Sequence, residues 1–510
     1  MTDGTESSTS AGRTRRQGDG RIYWEETCSP PAFPALAGEF TVDVAIVGAG
    51  IVGACAARLL KDRGLTVALV EARRVGQGVS GKATAKVTSQ HGLTYRTLEQ
   101  KFGEDRARLY GEAQEAGLRT ILELSRTHNL DADIEAMDAF VYTLDDKHVE
   151  EIEQEAEVAR RIGLPASLTR DTGLPFDVKA AIRFERQAQF HPIKFVASLA
   201  ATVPGAGSHV FENSRVTEWS PKHIATAAGR VSARHVVMAT NLPLGMLGSY
   251  YATNFPMAEP VVAAPIGRVP PAYYKNVEQP GRSMRIHRSN GRTYAIAAGS
   301  HFTPGHDEQK NFADLEQWLG EFDAGPIEYR WVNEDYAPMD SAPFIGWSSS
   351  DPDDAYLVAT GFAAWGFTNG AAAGMLFADL LEGRDNPWTD LFDANRIKPL
   401  TGAKRFTKEN LKVAKELVGG HFSRKAKSFD EIEAGQAAIV SLDEGEVAAF
   451  KDEDGRVHAV SAVCTHMGCI VGWNDTDRTW DCPCHGSRFA LSGEVLNGPA
   501  VMPLARRAEE

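Results

Sequence analysis

The stretch that decides the fold of this chain is "TVDVAIVGAGIVGACAARLLKDRGLTVALVEA", residues 41–72. It begins with a short apolar, β-branched run, which is typical of a buried parallel strand. Three glycines follow in the pattern G-x-G-x-x-G, at Gly48, Gly50 and Gly53, and open a helical pattern. A second apolar run then ends at Glu71. The order of strand, glycine turn, helix, strand and acid predicts a βαβ unit.

Each part of this unit suits a bound dinucleotide. Gly48 permits the tight turn, Gly50 lets the backbone approach a pyrophosphate, and Gly53 lets the helix pack closely on the strand. The helix N-terminus offers free N–H groups and partial positive charge to phosphates. Glu71 is placed to accept hydrogen bonds from the hydroxyls of an unphosphorylated ribose, which disfavours NADP. An ordinary βαβ turn is the alternative, but the complete unit favours dinucleotide binding.

Later segments resemble one family of flavoproteins. The glycine- and serine-rich loop "RRVGQGVSGKATAKVTSQHG", residues 73–92, is similar to the loop that wraps FAD in the D-amino-acid oxidase and glycine oxidase family. The segments "ARHVVMATN" at 233–241 and "YAPMDSAPFIGW" at 336–347 follow the same family pattern. So does "YLVATGFAAWGFTNGAAAGMLFADLL" at 356–381. The resemblance covers roughly residues 40–395, and it implies FAD as the cofactor.

The resemblance also implies an α/β fold, with a Rossmann-like FAD-binding domain and a mixed-sheet substrate domain. FAD is expected to be held non-covalently, because residues 336–347 contain no cysteine and residues 73–81 no histidine. The implied FAD-binding residues are Gly48, Gly50, Gly53, Glu71, Ala72, Arg73, Gly78, Ser80, Gly81, Thr84, Val216, Ala239, Thr240, Gly361, Gly366, Phe367 and Thr368.

The substrate half of the sequence is less informative. By resemblance, the expected substrate is a small amine or amino acid. Flavin amine oxidation needs little acid–base machinery, so no catalytic side chain is assigned. A structural role is the favoured interpretation for each candidate pocket residue, namely Lys86, His91, His191, His287 and Tyr294.

A second motif lies near the C-terminus, in "CTHMGCIVGWNDTDRTWDCPCHGS", residues 464–487, which holds four of the six cysteines. Its pattern is C-x-H-x15-C-x2-H, formed by Cys464, His466, Cys482 and His485. Zinc with two cysteines and two histidines is one interpretation. However, each pair here joins one cysteine and one histidine, which suits a two-iron cluster with the cysteines on one iron and the histidines on the other.

The two loops, "CTHMGC" and "CPCHGS", resemble the signatures of the Rieske [2Fe–2S] family, and the similarity spans about residues 429–506. The resemblance implies a small all-β domain whose cluster ligands are Cys464, His466, Cys482 and His485. It further implies a disulfide between Cys469 and Cys484, as in a subset of that family. Residues 498–500, "GPA", resemble the proline-bearing loop that covers the cluster.

One position departs from the respiratory members of the Rieske family. Ser487 matches the serine that donates a hydrogen bond to a cluster sulfide. Two residues later many respiratory members have a tyrosine that donates to a cysteine sulfur, but Phe489 cannot donate. Fewer hydrogen bonds to sulfur lower the reduction potential. We therefore expect a potential below that of respiratory Rieske centres.

Composition limits the partners and the location. The 510-residue chain has a formal net charge of -14, which argues against nucleic acid and anionic lipid as partners. No run approaches the roughly 20 apolar residues of a membrane span. Six cysteines in this length do not form a secreted disulfide scaffold. A cytoplasmic protein is therefore expected.

Composition shifts and the motifs together predict the domain organisation. Residues 1–38 are expected to be a disordered or extended tail, and residues 39–395 the flavin domain. The FAD-binding segments are placed at about 40–95, 205–245 and 335–395, the substrate domain at about 96–204 and 246–334, a linker helix at 396–427, and the Rieske domain at 428–507.

The predicted linker helix has a basic character. Residues 404–427 contain eight Lys or Arg and two Glu. We expect Thr407 to cap the helix and Gly419 to end it. A docking patch for an acidic partner is one interpretation of these charges, but a solvated face is favoured. The predicted apolar stripe consists of Leu411, Ala414, Leu417 and Val418.

The two motifs together predict an oxidoreductase that contains both FAD and a Rieske cluster. The flavin half would oxidise an amine or amino acid, and the cluster would pass single electrons to an external acceptor. Two alternatives remain open at this stage. In one, an external donor reduces the cluster and the flavin reduces a substrate. In the other, the protein senses redox state without turnover.

Overall fold

The computed structural model describes residues 18–507, apart from 246, 248, 268–269, 271, 397–398, 423–425 and 427. Residues 1–17 of the predicted tail lie outside the described residues. The rest of that tail packs on the flavin domain, because its helix Tyr23–Glu26 contributes two large aromatic side chains to the core. Tyr23 and Trp24 are fully buried.

The βαβ unit lies at the centre of an eight-stranded sheet. The strand Gly38–Val47 pairs in parallel with Val67–Val70 on one side and with Gly229–Met238 on the other. Helix Ile51–Asp62 follows the first strand as predicted, and it packs against helix Gly366–Leu381. The remaining strands of this sheet are His209–Phe211, Glu218–Ser220, His223–Ala225, Phe344–Trp347 and Leu357–Thr360.

A nine-stranded mixed sheet forms the second layer. Its strands, in spatial order, are Tyr329–Pro338, Asn254–Pro265, Arg292–Gly299, Arg282–Ser289, Ala272–Asn276, Glu135–Thr143, Ala180–Gln189 and Lys86–Val87, with Ala166–Thr169 paired to Ala180–Gln189. The accompanying helices are Thr94–Phe102, Glu104–Thr127, Val149–Arg161, Pro192–Ala201 and Gln309–Gly320. Shorter helices are Val79–Lys82, Tyr250–Thr253 and Thr389–Phe392, with 3-10 turns at Asp146–His148, Pro352–Asp354 and Phe429–Glu431.

The C-terminal part is built from two small antiparallel sheets. One contains Ala437–Leu442, Gly445–Lys451 and Val457–Ser461, and the other Gly472–Asn474, Thr479–Asp481, Arg488–Phe489 and Val495–Asn497. This architecture confirms the predicted fold class of an α/β flavoprotein with an all-β C-terminal domain. In the described part of the chain, none of the helices has the length and apolar character needed to cross a membrane.

The predicted helix before this domain is longer than expected and runs from Pro399 to Phe422. The expected cap Thr407 is therefore inside the helix, and Gly419 does not end it. Of the predicted stripe, Leu411, 56% exposed, Leu417, 37% exposed, and Ala414 face solvent rather than a core. The side chain of Val418 lies outside those that the structure describes. A helix can hold its position without burying that stripe when its other faces carry the contacts, which is the arrangement here.

Strand Tyr329–Pro338 connects the two halves. It is an edge strand, and yet all ten of its residues are buried, including the charged Glu334 and Asp335. Edge strands are normally solvated unless another element covers them. Here two segments provide the cover. Residues 18–19 pair with the start of the strand, where the Arg330 N–H donates to the Gly18 carbonyl at 2.8 Å. The C-terminal domain covers the strand further along, where the Val332 N–H donates to Asp477 at 3.1 Å.

Candidate active site and cluster site

The glycine turn is built by close backbone contacts. Gly48 has φ of +98° and donates its N–H to the Val70 carbonyl at 2.8 Å. A Cβ added to Gly53 would lie 1.9 Å from the Gly48 carbonyl oxygen, so only glycine allows the helix to pack there. A Cβ on Gly50 would lie 3.0 Å from the Ser80 hydroxyl oxygen. These contacts leave a narrow cradle at the helix N-terminus that suits a pyrophosphate.

Glu71 organises the edge of this cradle. Its carboxylate accepts hydrogen bonds from the N–H groups of Ala49 and Arg73, both at 2.9 Å. The Ser80 hydroxyl oxygen accepts from the Ile51 N–H at 3.0 Å and so joins the loop to the start of the helix. The acid therefore has a fixed orientation beside the turn, where a ribose hydroxyl would meet it.

One cavity brings most of the predicted FAD-binding residues together. Its wall includes Gly48, Gly50, Glu71, Ala72, Arg73, Gly78, Ser80, Thr84, Val216, Ala239, Thr240, Gly366 and Phe367. Four predicted residues do not line it, namely Gly53, Gly81, Gly361 and Thr368. These four lie behind the wall: a Cβ on Gly81 would meet the Gly76 carbonyl oxygen at 2.3 Å, for example. Two helix N-termini, at residues 51 and 366, open on this cavity, so the site fits FAD.

The substrate-domain side of the cavity is charged. It includes Lys86, Glu259, Lys275, Ser283, His301, Asn333, Asp335 and Trp365. Apart from Lys86, sequence reasoning did not select these residues. Most of them come from strands far apart in the chain, while His301 and Trp365 lie outside the strands, and no short motif unites them. The one sequence signal for this region was a pair of consecutive acids, Glu334 and Asp335, in a strand whose residues do not alternate between polar and apolar.

Two lysines in the cavity differ in their contacts. Lys86 donates hydrogen bonds to the hydroxyls of Ser283 (2.8 Å) and Thr84 (3.1 Å). Burial lowers the pKa of Lys86 to about 7. Lys275 has no hydrogen bond or ion pair within the described part of the chain, and its Nζ lies 5.9 Å from the Trp365 ring centroid. Burial also lowers the pKa of Lys275, while the charge of Glu259 opposes that shift.

Two carboxylates complete this region. Glu259 lies 3.6 Å from the imidazole of His301. Asp335 accepts a hydrogen bond from the Ala364 N–H at 2.5 Å, and burial raises its pKa to about 6. The cavity therefore holds an unpaired ammonium group and several groups that can exchange protons near neutral pH.

The other predicted pocket candidates have structural partners instead. His91 contacts the Tyr110 hydroxyl at 2.7 Å, and burial lowers its pKa to about 3. The remaining pairs are His191 with Thr27 (3.0 Å), His287 with Tyr23 (2.9 Å) and Tyr294 with Glu328 (2.8 Å). None of the four lines the cavity, as the favoured structural interpretation implies.

The second site brings Cys464, His466, Cys482 and His485 together. The two imidazole ring centroids lie 4.9 Å apart. Both cysteines are buried and free. The Nδ1 atoms of both histidines are buried without a hydrogen-bond partner among the described residues. Two orphaned imidazole nitrogens beside two buried free thiols are the donor set that a [2Fe–2S] cluster of mixed ligation requires, so these residues fit it.

The neighbouring cysteines form the disulfide that the resemblance implied. Cys469 and Cys484 are bonded, with their Cα atoms 6.5 Å apart. The sulfur atoms of Cys469, Cys482 and Cys484 all lie within 4.8 Å of one another. The disulfide therefore joins the two loops directly beside the predicted ligands. Ser487, behind them, accepts a hydrogen bond from the Ala500 N–H at 3.0 Å.

The cluster site faces the flavin half. The Tyr336 hydroxyl donates to the His485 carbonyl oxygen at 2.9 Å, and Tyr336 also lines the FAD cavity. A Cβ on Gly486 would lie 3.0 Å from that hydroxyl oxygen. His466 lies 3.2 Å from the Gly245 carbonyl oxygen. The same cavity is lined by the C-terminal segment through Leu496, Asn497, Gly498, Ala500 and Val501.

Buried charges hold this contact together. Arg488 of the C-terminal domain is 2% exposed and contacts Asp481 (2.9 Å), Asp477 (2.8 Å) and Glu334 (3.3 Å). Lys82 of the FAD-binding loop also pairs with Asp477 at 2.8 Å. Burial raises the pKa of Glu334 to about 8, with Arg488 acting in the opposite direction.

Family comparisons agree with both sites. Residues 43–380 match the family of FAD dependent oxidoreductases (DAO), and residues 424–507 match the Rieske [2Fe-2S] domain. The chain belongs to the FAD-dependent oxidoreductase family and carries a C-terminal Rieske domain. It is thus an FAD-dependent oxidoreductase, whose domains indicate FAD and a Rieske-type [2Fe–2S] cluster as cofactors.

One relative covers nearly the whole chain, and another covers only its Rieske part. A Bacillus subtilis (strain 168) protein named as a Rieske 2Fe-2S iron-sulfur protein, YhfW, is 34% identical over 492 residues, which are 94% of this chain and 96% of that protein. The cytochrome b6-f complex iron-sulfur subunit of Chlorobaculum thiosulfatiphilum is 40% identical over 89 residues, which are 16% of this chain and 49% of that protein.

Solved structures match the flavin half. Glycine oxidase from Geobacillus kaustophilus has a TM-score of 0.60 at 18% identity, covering 70% of this chain and all of that one. L-Proline dehydrogenase from P. horikoshii has a TM-score of 0.57 at 18% identity, covering 71% of this chain and 98% of that one. At this identity the likeness shows the fold.

Proposed function

We propose that this protein oxidises a small amine or amino acid at the FAD site and passes the electrons through its Rieske cluster to an external one-electron acceptor. One observation carries this proposal. The C-terminal domain lines the same cavity as the dinucleotide glycines, through the segment from Leu496 to Val501. A domain that only shared the chain would not need to form a wall of the flavin site.

FAD is assigned to the cavity between the two helix N-termini. The turn at Gly48 and Gly50 would hold the pyrophosphate, and Glu71 would accept hydrogen bonds from the ribose. When bound, FAD supplies a hydride acceptor that can release its two electrons singly to the cluster. The loop residues Gly78, Ser80 and Thr84 would also contact the dinucleotide, since they line the same cavity as the turn.

The charged side of the cavity would hold the substrate. Lys275 is an ammonium group without a partner, and a substrate carboxylate would supply its missing counter-charge. Trp365, beside it, would limit the space for the substrate side chain. The substrate class therefore inferred is an amino acid rather than a simple amine. The names of the structurally similar proteins, glycine oxidase and L-proline dehydrogenase, support that class.

Lys86 would remove a proton from the substrate amine. Its pKa of about 7 leaves a large neutral fraction near neutral pH, and Ser283 and Thr84 orient the nitrogen. When the C–N unit is oxidised to an imine, FAD held in the cavity would take the hydride and Lys86 would accept the proton. Overall, one substrate molecule reduces two one-electron acceptors and two protons are released.

The cluster would be held by Cys464 and Cys482 on one iron and by His466 and His485 on the other. The two orphaned Nδ1 atoms are the nitrogens assigned to iron. Tyr336 would orient the ligand loop toward the flavin by its hydrogen bond to the His485 carbonyl. The disulfide between Cys469 and Cys484 would keep the two ligand loops in register.

Anaerobic titration of the purified holoprotein tests this function. A library of amino acids and matching decarboxylated amines is added while the absorbance of flavin and cluster is recorded. The proposal predicts that an amino acid bleaches the flavin and then the cluster. If no amine or amino acid reduces the flavin, while an external donor such as dithionite reduces the cluster and then the flavin, the electron flow is the reverse of the one proposed.

A further inference from the structure

The helix Pro399–Phe422 presents an unusual face to solvent. Lys408, Leu411, Lys412 and Lys415 are spaced i, i+3, i+4 and i+7, which places them on one side of the helix. All four are exposed, and Leu411 is 56% exposed. We call these four residues the basic face. Within residues 405–417, whose side chains the structure describes, no carboxylate lies on it.

The other sides of the helix are occupied. Val413 packs against the core of the Rieske domain. Asn410 donates to the Ala252 carbonyl at 3.1 Å, and Glu416 lies 3.3 Å from His306 of the flavin half. The helix is therefore fixed on both halves by its polar and small residues. Leu411 takes part in none of these contacts. Of its lysine neighbours, Lys412 donates a hydrogen bond to the Thr303 hydroxyl of the flavin half at 2.6 Å.

The basic face lies close to the cluster site. Val413 is on the inner side of the same helix, and its carbonyl oxygen lies 4.0 Å from the sulfur of Cys484. That sulfur is in turn within 4.8 Å of the sulfur of Cys482, a predicted iron ligand. One turn of this helix therefore lies between the disulfide and the basic face. On the histidine side, His485 is 3% exposed and faces Tyr336, while His466 is partly buried and lies 3.2 Å from the Gly245 carbonyl oxygen of the flavin half.

We propose that the basic face is the docking surface for an acidic one-electron carrier protein, which takes electrons from the cluster across this helix. The direction of transfer rests on the proposed function. In each encounter one electron leaves the reduced cluster, the oxidised carrier gains it, and no bond changes. Two carrier molecules are consumed per substrate.

Charge complementarity identifies the occupant. The protein as a whole has a net charge of -14, so an acidic carrier is repelled by most of its surface. Three lysines around an exposed leucine form a local exception, which would orient the carrier at the helix. Leu411 supplies the apolar centre that such interfaces commonly contain, with the lysines as a charged rim.

The test uses holoprotein reduced with dithionite, so that no substrate is needed. Oxidation of the cluster is followed by stopped flow with three oxidants: plastocyanin as an acidic carrier, cytochrome c as a basic carrier, and ferrocenium as a small oxidant that needs no docking. The variant K408E/K415E reverses two charges of the basic face. The matched control K222E/K310E makes the same change of charge on exposed lysines of the flavin half.

At low ionic strength, K408E/K415E is expected to lower the rate constant with plastocyanin by about 10-fold and to flatten its salt dependence. Leu411→Gln is expected to lower the same rate constant with the salt dependence retained. The control, and every variant with ferrocenium, keep the wild-type rate. The ferrocenium rate and the cluster absorbance also report whether a variant is folded.

Three outcomes would overturn the proposal. In the first, K408E/K415E and K222E/K310E lower the plastocyanin rate equally. In the second, the loss follows Met502→Gln, which alters the most exposed of the large apolar side chains described, near the cluster loops. In the third, wild-type protein forms a dimer that K408E/K415E dissociates while plastocyanin rates are unchanged. Failure of the proposed function would appear separately, as a cluster that substrate does not reduce.

Discussion

Two sets of charged side chains in this molecule differ in one respect. At the contact between the halves, Arg488 and Lys82 are surrounded by three carboxylates within 3.3 Å. In the cavity, Lys275 has no such partner among the described residues. A buried charge is costly unless it is paired, and in the first set Arg488 and Lys82 both have counter-charges in place. Lys275, in the second set, gains a hydrogen-bonded counter-charge only when a ligand supplies one. The first set therefore forms a fixed contact between the halves, and Lys275 forms part of a binding site.

The largest expected effect comes from removing Arg488 from the charge network between the halves. Arg488→Met leaves Asp481, Asp477 and Glu334 buried without their guanidinium, so we expect the free energy of unfolding to fall by roughly 3–5 kcal/mol. Denaturant unfolding of the holoprotein measures this. The control Arg288→Met removes an arginine that is 53% exposed and pairs with Glu135, and it should cost less than about 1 kcal/mol. Equal losses would show that the network does not hold the contact.

Removing the ammonium group of Lys275 is expected to change substrate binding rather than stability. Lys275→Met removes the ammonium that would bind a carboxylate, which is worth about 1.5–3 kcal/mol for a charged hydrogen bond. KM for an amino acid should therefore rise roughly 10- to 100-fold, with a smaller change in kcat. Steady-state kinetics with the amino acid and its decarboxylated amine measure the difference. If KM rises equally for both compounds, Lys275 does not bind a carboxylate.

The pH dependence of kcat/KM tests the role of Lys86 in the cavity. Its folded-state pKa of about 7 lies below the ordinary lysine value, so the amine is charged below pH 7 and neutral above it. Only the neutral form accepts a proton, so kcat/KM should fall about 10-fold per unit as pH drops below 7. Lys86→Met should lower kcat/KM and remove that limb of the profile, with flavin content checked by absorbance. A limb that persists in the variant would assign it to another group.

The smallest expected effect concerns the cluster. Phe489 is fully buried beside the cluster loops and cannot donate a hydrogen bond. Phe489→Tyr is expected to raise the midpoint potential, by about 40 mV if the new hydrogen bond contributes roughly 1 kcal/mol to the reduced state. Redox titration of the cluster measures the change. An unchanged midpoint in a folded variant would contradict the expected role of this position.

Local spacing made much of the fold predictable. The G-x-G-x-x-G turn and the two cysteine–histidine loops are short motifs, because backbone geometry at Gly48 and Gly53 and metal coordination depend on neighbours in sequence. The disulfide of Cys469 and Cys484 followed from the same resemblance. The structure has these features at the predicted positions, and the neighbouring helix and strands form as predicted.

Long-range contacts explain what the sequence did not predict. Lys275, Glu259 and Asp335 come from three strands of one sheet, and their meeting depends on strand order and register. The stripe at Leu411 has helical periodicity, but periodicity does not say which face is covered. Tyr336 lines the cavity and donates to the His485 carbonyl oxygen, a contact between segments about 150 residues apart that no local pattern indicates. Each case depends on an arrangement of distant segments.

The account depends most on transfer between the two halves. Freeze-quench EPR and stopped-flow absorbance of anaerobic holoprotein, mixed with the amino acid that reduces the flavin, measure this transfer most directly. The account predicts that the flavin is reduced first and that the signal of a reduced Rieske cluster then appears within one turnover. A flavin that turns over with oxygen while the cluster stays oxidised would contradict it.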